Sequence, residues 1–414
     1  MSLFFVLLSI ALSYFSPPEI DPAWAKYHLQ QFILFPAFLG TVILASHQLR
    51  FQWPQHFLIL GFWFALVMSR LTGRWFGGAL NAFLVFGVVV AVYFLVSLNT
   101  FTPARIRVVC GTFALCAVVM AIQATLAYHT GYQQEKLVRA GRIAGWGIVG
   151  DSNDFAQFLL VALAFLGAFW KKGSVIRNAL LFPPACLLIY DIYLTLSRGA
   201  MLGLLTVILI AVSSKIPKVV SAGVAIMATL IFVALGFGGG REFSLNEGSA
   251  AGRVMAWGSG IADLKAHPIF GVGYALFTDF NELTAHNSFV LCFAELGLFG
   301  YFFWLGLVVT IIIGLERVNR IPPASFPDQS IPGLLRALRA GFYTFLVTSW
   351  FLSRTYNETL FILFALCGSL IHLPQVAALV PATPRKPVPW LRLTLACEFM
   401  SLIIVYVTVR LRSF

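Results

Sequence analysis

The stretch HNSFVLCFAELGLFG, residues 286–300, opens an apolar run that continues to about residue 313. A run of this length can cross the hydrocarbon core of a bilayer as an α-helix, which takes about 20 residues. It carries His286 and Asn287 at its edge and Glu295 within it. Because an ionisable group inside a membrane is costly, its presence indicates a partner or a function. The stretch therefore predicts a transmembrane helix with polar residues at its mouth.

The composition extends this prediction to the whole chain. Of its 414 residues, 59% are hydrophobic and 11% are charged, with 40 Phe and a mean hydropathy of +0.88, far from the values of soluble domains. Repeated runs of about 17 to 25 apolar residues favour helices, which satisfy their own backbone hydrogen bonds, over a barrel. We predict an all-α fold, one polytopic membrane domain over residues 1–414 with roughly twelve or thirteen transmembrane helices.

The predicted spans are 3–17, 30–47, 56–69, 78–98, 106–128, 154–170, 178–196, 199–214, 219–237, 287–313, 336–353, 358–378 and 390–409. The first has no basic segment before it and no small-residue cleavage site, so we predict a retained helix rather than a signal peptide. Glu398 interrupts the last, which leaves a helix in the membrane interface as an alternative. The six cysteines lie in apolar runs without a CxxC pair, and this pattern implies neither a disulfide nor a metal site.

The basic residues predict the orientation of the chain. They cluster in alternate loops, at Arg105/Arg107, Lys171/Lys172/Arg177, Lys215/Lys218, Arg317/Arg320/Arg336/Arg339 and Arg385/Lys386. The positive-inside rule places these loops in the cytoplasm, and the net charge of +12 then indicates anionic headgroups rather than nucleic acid. Loops 129–153 and 238–286 are predicted to lie on the outer side, the second with an amphipathic helix at about 249–266.

Another set of arginines breaks this rule. Arg70, Arg74, Arg139, Arg142, Arg198, Arg241, Arg253 and Arg354 all fall on the predicted outer side. Arginine is suited to bidentate recognition of phosphate, so the set suggests a phosphorylated ligand at membrane level. The alternative is that each arginine reaches the headgroups or pairs with a carboxylate.

Three outer segments are candidates for the chemistry. In TLSRGAML, residues 195–202, a tight turn holds Arg198 at the rim, although a plain hairpin turn is the alternative. In the helix at 249–266, Ser249 is the expected N-cap and Arg253 lies in the expected first turn, where free N–H groups favour an anion. Trp257 on that helix is expected to be an interfacial anchor. His286 is a candidate general base, with a structural hydrogen-bonding role as the alternative.

The acidic residues have mainly structural interpretations. Glu295 lies nine residues after His286, about 13 Å deeper and on the opposite helix face, so it cannot form a dyad with His286 and is expected to bond across helices. In GDSNDFAQ, Asp151, Asn153 and Asp154 are expected to cap a helix. Glu358 is spaced to pair with Arg354. Asp191 is an intramembrane charge whose partner the sequence does not reveal.

Four motifs resemble the bacterial O-antigen ligase and polymerase superfamily of integral membrane glycosyltransferases. They are LSRGA (196–200), GRVMAW (252–257), HPIFGVG (267–273) and HNSFVLCFAELGLFG (286–300), and they occur in the family's order. The resemblance covers about residues 190–315, and GDSNDFA (150–156) extends it weakly upstream.

The resemblance implies a site at the periplasmic face of the inner membrane, where a glycan is transferred from a polyprenyl pyrophosphate to an acceptor hydroxyl without a metal, nucleotide sugar or other cofactor. It implies that Arg198 and Arg253 hold the pyrophosphate and that His286 activates the acceptor. Fixed guanidinium groups in a poorly hydrated site would stabilise the leaving charge. Further substrate contacts are expected from Arg139, Arg241, Asn287, Asp154, Arg70, Arg74 and Arg354. Such a function implies membrane lipids as partners, and a chain-length regulator or a flippase as candidate protein partners.

The same chemistry serves a polymerase that extends an O-antigen or exopolysaccharide and a ligase that joins a glycan to a lipid A-core acceptor. Family polymerases carry an Arg, ten residues and then Gly in two outer loops, and here Arg139 precedes Gly150 and Arg241 precedes Gly252 in this way. This spacing favours a polymerase, although two such matches can arise by chance. A transporter would also need intramembrane charges, but no inverted repeat of broken helices is evident.

Overall fold

The computed structural model describes residues 2–17, 23–24, 29–45, 51–212, 248–380 and 389–412. Over these residues the chain is all-α, as predicted, apart from one short hairpin of β1 (Val138–Arg139) and β2 (Arg142–Ile143). The helices are α1 (Ser2–Phe15), α2 (Leu29–Ala45), α3 (Gln55–Thr72), α4 (Phe76–Asn99), α5 (Pro103–Thr130), α6 (Gln134–Leu137), α7 (Ser152–Leu166), α8 (Val175–Leu194), α9 (Arg198–Val212), α10 (Gly248–Ala266), α11 (Phe277–Phe280), α12 (Ser288–Asn319), α13 (Ile331–Ser349), α14 (Glu358–Ile371), α15 (Pro374–Ala377) and α16 (Trp390–Arg412).

The structure confirms a multi-pass membrane protein. Among the described residues, seven helices are long and apolar enough to cross a membrane, namely α3, α4, α5, α7 with the 3₁₀ turn that follows it, α8, α12 and α16. Four shorter apolar helices, α1, α2, α9 and α14, accompany them. Each predicted span other than 219–237 coincides with a helix. Span 219–237 and Arg241 lie outside the described residues.

The ends of several helices differ from the prediction for local reasons. The span predicted at 336–353 begins earlier, at Ile331, because Pro332 is well tolerated in a first helical turn. The span predicted at 358–378 ends at Ile371, and Pro374 then begins a separate short helix. Helix α10 is described from Gly248 onward, so Ser249 is already helical and is not the N-cap, and Arg253 lies more than one turn into the helix.

Helix α12 is the central element of the bundle and packs against α3, α10 and α16. Its Trp304 is fully buried, and the indole donates a 3.2 Å hydrogen bond to the backbone carbonyl of Thr355. A second group forms where α13 packs against α7 and α9. The two groups of helices meet at segment 350–357, which joins α13 to α14 and packs against the start of α12.

Helix α12 is interrupted at Gly297, whose φ is +62°. The loop Pro268–Gly273 fills the break: Val272 and Gly273 donate to the carbonyls of Ala294 and Glu295, and Leu298 and Phe299 donate to the carbonyls of Pro268 and Ile269. These four bonds, at 2.9 to 3.1 Å, satisfy backbone groups that the interruption leaves open. The motif HPIFGVG is thus joined to HNSFVLCFAELGLFG through the backbone.

Glycine is required where these two segments meet. A Cβ atom on Gly297 would lie 2.3 Å from the carbonyl oxygen of Ile269, and one on Gly271 would lie 2.3 Å from the carbonyl carbon of Glu295. Both glycines also have positive φ, which other residues adopt only with strain. The close approach fixes the loop after α10 relative to the start of α12, where His286 lies.

Candidate active site

His286 lies immediately before α12 with a φ of +47°, in the left-handed region that non-glycine residues seldom adopt. The next residue, Asn287, is fully buried and caps the helix, since its side-chain oxygen accepts from the backbone N–H groups of Phe289 and Val290. Its Nδ2 group has no hydrogen-bond partner among the described residues. The cap fixes the direction in which the chain enters α12, and it holds the half-buried His286 at that point.

Trp257 joins α10 to the segment before His286. Its indole donates a 2.9 Å hydrogen bond to the carbonyl of Ala285, its ring packs edge-on against Trp350, and only 8% of it is exposed. The expectation of an interfacial anchor is therefore wrong. An apolar stripe on an amphipathic helix fits a protein surface as well as a membrane, and here it faces the protein. This contact places Arg253, one turn earlier on α10, beside His286.

The charges around His286 act on its protonation. Burial lowers the pKa of the imidazole below its usual value, and Arg253 lowers it further. The Asp151 carboxylate raises the pKa of His286, while Arg354 lowers it. At neutral pH the imidazole is accordingly in its neutral form, which can accept a proton. Arginines from two separate elements therefore surround a histidine suited to act as a base.

Arg354 is held at this position by several contacts. Its guanidinium forms an ion pair with Asp154, which lies in the first turn of α7 and is 4% exposed. Its backbone N–H donates to Ser288 Oγ at 2.8 Å, and Ser288 Oγ donates to the carbonyl of Leu352 at 2.6 Å. The expected pairing of Arg354 with Glu358 is wrong. Segment 350–357 is not helical, so helical spacing does not apply to it.

Glu358 instead begins α14 and accepts a 2.7 Å hydrogen bond from Ser13 Oγ of α1. The expected caps of α7 are confirmed in part. Asp151 is the N-cap residue and accepts from the backbone N–H of Asn153 at 2.8 Å. Asp154 lies one turn further and forms the ion pair with Arg354, so it is not a capping residue.

Arg142 has a bridging role that the sequence did not single out. Its Nε donates to the carbonyl of Thr195 at 2.7 Å, and its Nη2 donates to Oδ1 of Asn153 at 2.8 Å. One side chain thus links the β1–β2 hairpin, the turn before Arg198 and the start of α7. In the sequence, Arg142 was distinguished only as one of the arginines predicted to lie on the outer side.

Arg198 begins α9 after a sharp reversal of the chain. Leu196 has a φ of +48°, and the backbone turns through Ser197 directly from α8 into α9, as predicted. A Cβ atom on Gly199 would lie 3.4 Å from Phe351, three residues before Arg354. Arg198 is therefore at the same end of the bundle as Arg354, Asp151 and His286, which we call the site end.

The other candidate arginines lie elsewhere or are exposed. Arg139 is exposed and pairs with Arg142 in the hairpin register. Arg74 is exposed after α3, with a φ of +56°. Arg70 is 7% exposed, its guanidinium lies 4.7 Å from the centroid of the Trp75 ring, and its charge acts on Tyr274. Nothing in the described contacts joins these three residues to His286.

Two of the intramembrane acids, Glu295 and Asp191, have identified partners. Glu295 is buried, and its carboxylate accepts from the backbone N–H of Phe277 at 3.0 Å and from the hydroxyl of Tyr356 at 2.7 Å. It therefore bonds across elements, as predicted, and ties α12 to the loop after α10 and to segment 350–357. Asp191 accepts from Thr125 Oγ1 of α5 at 2.5 Å. Among the described residues, no group of three or more His, Cys, Asp or Glu is arranged to hold a metal ion.

A comparison with known families finds that the model of a family described as O-Antigen ligase matches residues 183–305. This segment is O-antigen ligase-related. The match confirms the resemblance over a range that contains Arg198, Arg253 and His286. Arg354, whose charge acts on His286, lies outside the matched segment, as does its ion-pair partner Asp154. No match to this chain was found among curated proteins.

Proposed function

We propose that the protein transfers a glycan from a polyprenyl pyrophosphate carrier to the hydroxyl of an acceptor sugar, with its site facing the periplasm from the inner membrane. The observation that supports this most directly is the set of charges around His286, a half-buried imidazole flanked by Arg253 and Arg354. A neutral base beside fixed cations suits a reaction in which a hydroxyl loses a proton while a pyrophosphate leaves.

The transfer proceeds by a displacement at the anomeric carbon. The acceptor oxygen bonds to this carbon as the bond from the carbon to the pyrophosphate oxygen breaks, and the hydroxyl proton passes to His286. The polyprenyl pyrophosphate leaves with the bonding electrons. Arg253 and Arg198 stabilise the negative charge on it, and the activated donor supplies the free energy.

Arg354 lies outside the matched segment, and its ion pair with Asp154 holds its guanidinium beside His286. A pyrophosphate placed among the arginines would compete with Asp154 for the guanidinium of Arg354. The Nδ2 group of Asn287 offers a donor to a substrate oxygen next to His286. We assign substrate orientation to Asn287 and Arg354, and proton transfer to His286.

Chain extension is the preferred version of this function, because the Arg139 and Gly150 pair in the loop before α7 has the spacing of family polymerases. The description of the matching family favours the second candidate, a ligase that transfers the finished glycan to a lipid acceptor.

The two versions differ in their acceptor, and this difference provides the test. Purified protein in lipid vesicles is given a polyprenyl-pyrophosphate-linked repeat unit alone, and the products are separated by size. A polymerase gives a ladder of longer glycans, whereas a ligase gives product only when a lipid acceptor is added. If neither condition yields product with the donor of the native polysaccharide, the proposed transfer is wrong.

A further inference from the structure

A second polar region lies at the opposite end of the bundle from His286. Helices α7, α8 and α13 each have one end at the site end, and their other ends surround a cavity of about 1000 Å³. Since α8 has 20 residues, this cavity is about 30 Å from the site. We call it the basic cavity. No step of the proposed reaction uses it.

Five cationic side chains line the basic cavity: Arg107, Lys171, Lys172, Arg177 and Arg336. No acidic residue is among those that line it, although the charge of the Asp328 carboxylate, beside Gln329, interacts with Arg107. The Nε atom of Arg107 is buried and has no hydrogen-bond partner among the described residues. A buried donor without a partner is costly, so a cluster of this kind indicates an anion that supplies the missing acceptors.

The turn that carries the two lysines has a fixed shape. Asn178 Oδ1 accepts from the backbone N–H of Lys171 at 3.0 Å, and its Nδ2 donates to the Lys171 carbonyl at 2.9 Å. The backbone N–H of Ser174 donates to the same carbonyl. The backbone of the turn is thus fixed at Lys171 by bonds within the protein.

An apolar groove of about 370 Å³ continues from the basic cavity between α7, α9 and α13. Small or apolar residues line it, including Leu163, Gly167, Val207 and Ala337. Trp170 and Arg336 line both the groove and the basic cavity. Trp170 is 61% exposed, and exposed tryptophans of this kind mark the level of the headgroups.

We propose that the basic cavity and the groove together bind one anionic diacyl glycerophospholipid, with its phosphate among the five cations and an acyl chain in the groove. The cations select a negative headgroup, as basic pockets between membrane helices do. The groove selects a lipid over a soluble phosphate, because only an amphiphile fills both parts. Such a lipid would bridge α7, α9 and α13, the helices that position Asp154, Arg198 and Arg354 at the site end.

Native mass spectrometry of the purified full chain tests this proposal without reference to enzymatic activity. The protein is mixed with phosphatidylglycerol or with phosphatidylcholine of the same acyl chains, and the bound fraction is compared. Wild type is expected to retain phosphatidylglycerol preferentially. Equal retention of the two lipids would overturn the proposal. Glycerol phosphate is added as a competitor, and displacement of the lipid at an equal concentration would show that the site takes a soluble phosphate instead.

Two glycines allow the two parts to be tested separately. Gly333 lines the basic cavity and Gly167 lines the groove, and an added Cβ would meet nothing within 4 Å at either position. Gly333→Glu is expected to reduce phosphatidylglycerol binding about fivefold, from the effect of one charge, whereas Gly333→Gln is not. An equal loss in both variants would mean that volume and not charge decides binding, contrary to the proposal.

Gly167→Leu is expected to reduce retention of the lipid by filling the groove. Unchanged retention in this variant would exclude the acyl chain from the groove. The double variant Lys171→Gln with Lys172→Gln is expected to lose more than Gly333→Glu. Arg320→Gln is the matched control, since Arg320 is exposed beyond the end of α12 and does not line the cavity. A loss in Arg320→Gln as large as in the lysine variant would contradict a specific site.

Discussion

Arg354 and Asp154 form an ion pair between the segment after α13 and the first turn of α7. The two residues are 200 positions apart in the chain. The pair holds a guanidinium beside His286, while the side chain of Arg354 stays 31% exposed and so remains accessible to a ligand. It thereby fixes part of the charge around His286 before any substrate binds.

Asp154→Asn is expected to lower both the melting temperature and the transfer rate. The substitution leaves Arg354 without its ionic partner in a mostly buried setting, at a cost of about 1 to 3 kcal/mol. A double-mutant cycle with Arg354→Gln, followed by thermal melting in detergent, measures the coupling. The double variant should be less damaged than the sum of the single variants. Strict additivity would show that the pair does not act as a unit.

The pH dependence of transfer reports on His286. Because burial and Arg253 lower the pKa of the imidazole, the base form persists below the usual pKa of histidine, and activity should fall only at more acidic pH. Arg253→Gln removes a cation, so the pKa should rise and the acid limb of the pH–rate profile should move to higher pH. Arg253→Lys keeps the charge and should leave the limb in place. A limb that moves to lower pH in Arg253→Gln would contradict this arrangement.

Gly297→Ala tests the interruption of α12. An added methyl group would overlap the carbonyl of Ile269 and would also occupy a backbone with φ +62°, so we expect a loss of at least about 2 kcal/mol. Gly141→Ala is the matched control, since Gly141 has a φ of +72° and nothing within 4 Å of an added Cβ. Thermal melting should therefore show a larger decrease for Gly297→Ala. Equal decreases would mean that the close contact with the loop contributes little.

Glu295→Gln separates structure from chemistry. The amide keeps the shape of the side chain but weakens the bonds from Phe277 and Tyr356, so the melting temperature should fall by several degrees. The folded fraction should keep most of its specific activity, because Glu295 does not contact His286. Activity per folded molecule, from the same samples, is the measurement. A stable Glu295→Gln protein without activity would show that the carboxylate takes part in the reaction.

Much of the helical framework follows from the sequence, because apolar length and turn residues act locally. The helix at 249–266, the reversal before Arg198 and the cap at Asp151 were all predicted in this way. The ion pair of Arg354 with Asp154 was not predicted. Helical spacing suggested Glu358 as the partner, but segment 350–357 is not helical, and Glu358 bonds to Ser13 of α1 instead. Trp257 was assigned to the membrane because an apolar stripe does not reveal what it faces.

Parts of the candidate site depend on contacts between distant segments. Arg142 bonds to Thr195 and Asn153, and no spacing in the sequence links these residues. Gly271 and Gly297 permit the insertion of the HPIFGVG loop into the break in α12, but the spacing of these glycines does not predict the backbone hydrogen bonds that hold the loop there. The sequence identified the residues that carry charge, and the fold determined which of them lie beside His286.

The most direct test of the central claim is the ladder assay with His286→Ala beside His129→Ala. His129 is an exposed histidine at the end of α5 that bonds to Tyr190, so it controls for loss of an imidazole near the same end of the bundle. We predict that transfer from the polyprenyl-pyrophosphate donor falls by at least about a hundredfold in His286→Ala and persists in His129→Ala. A folded His286→Ala protein that transfers glycan at the wild-type rate would contradict the assignment of His286 as the base.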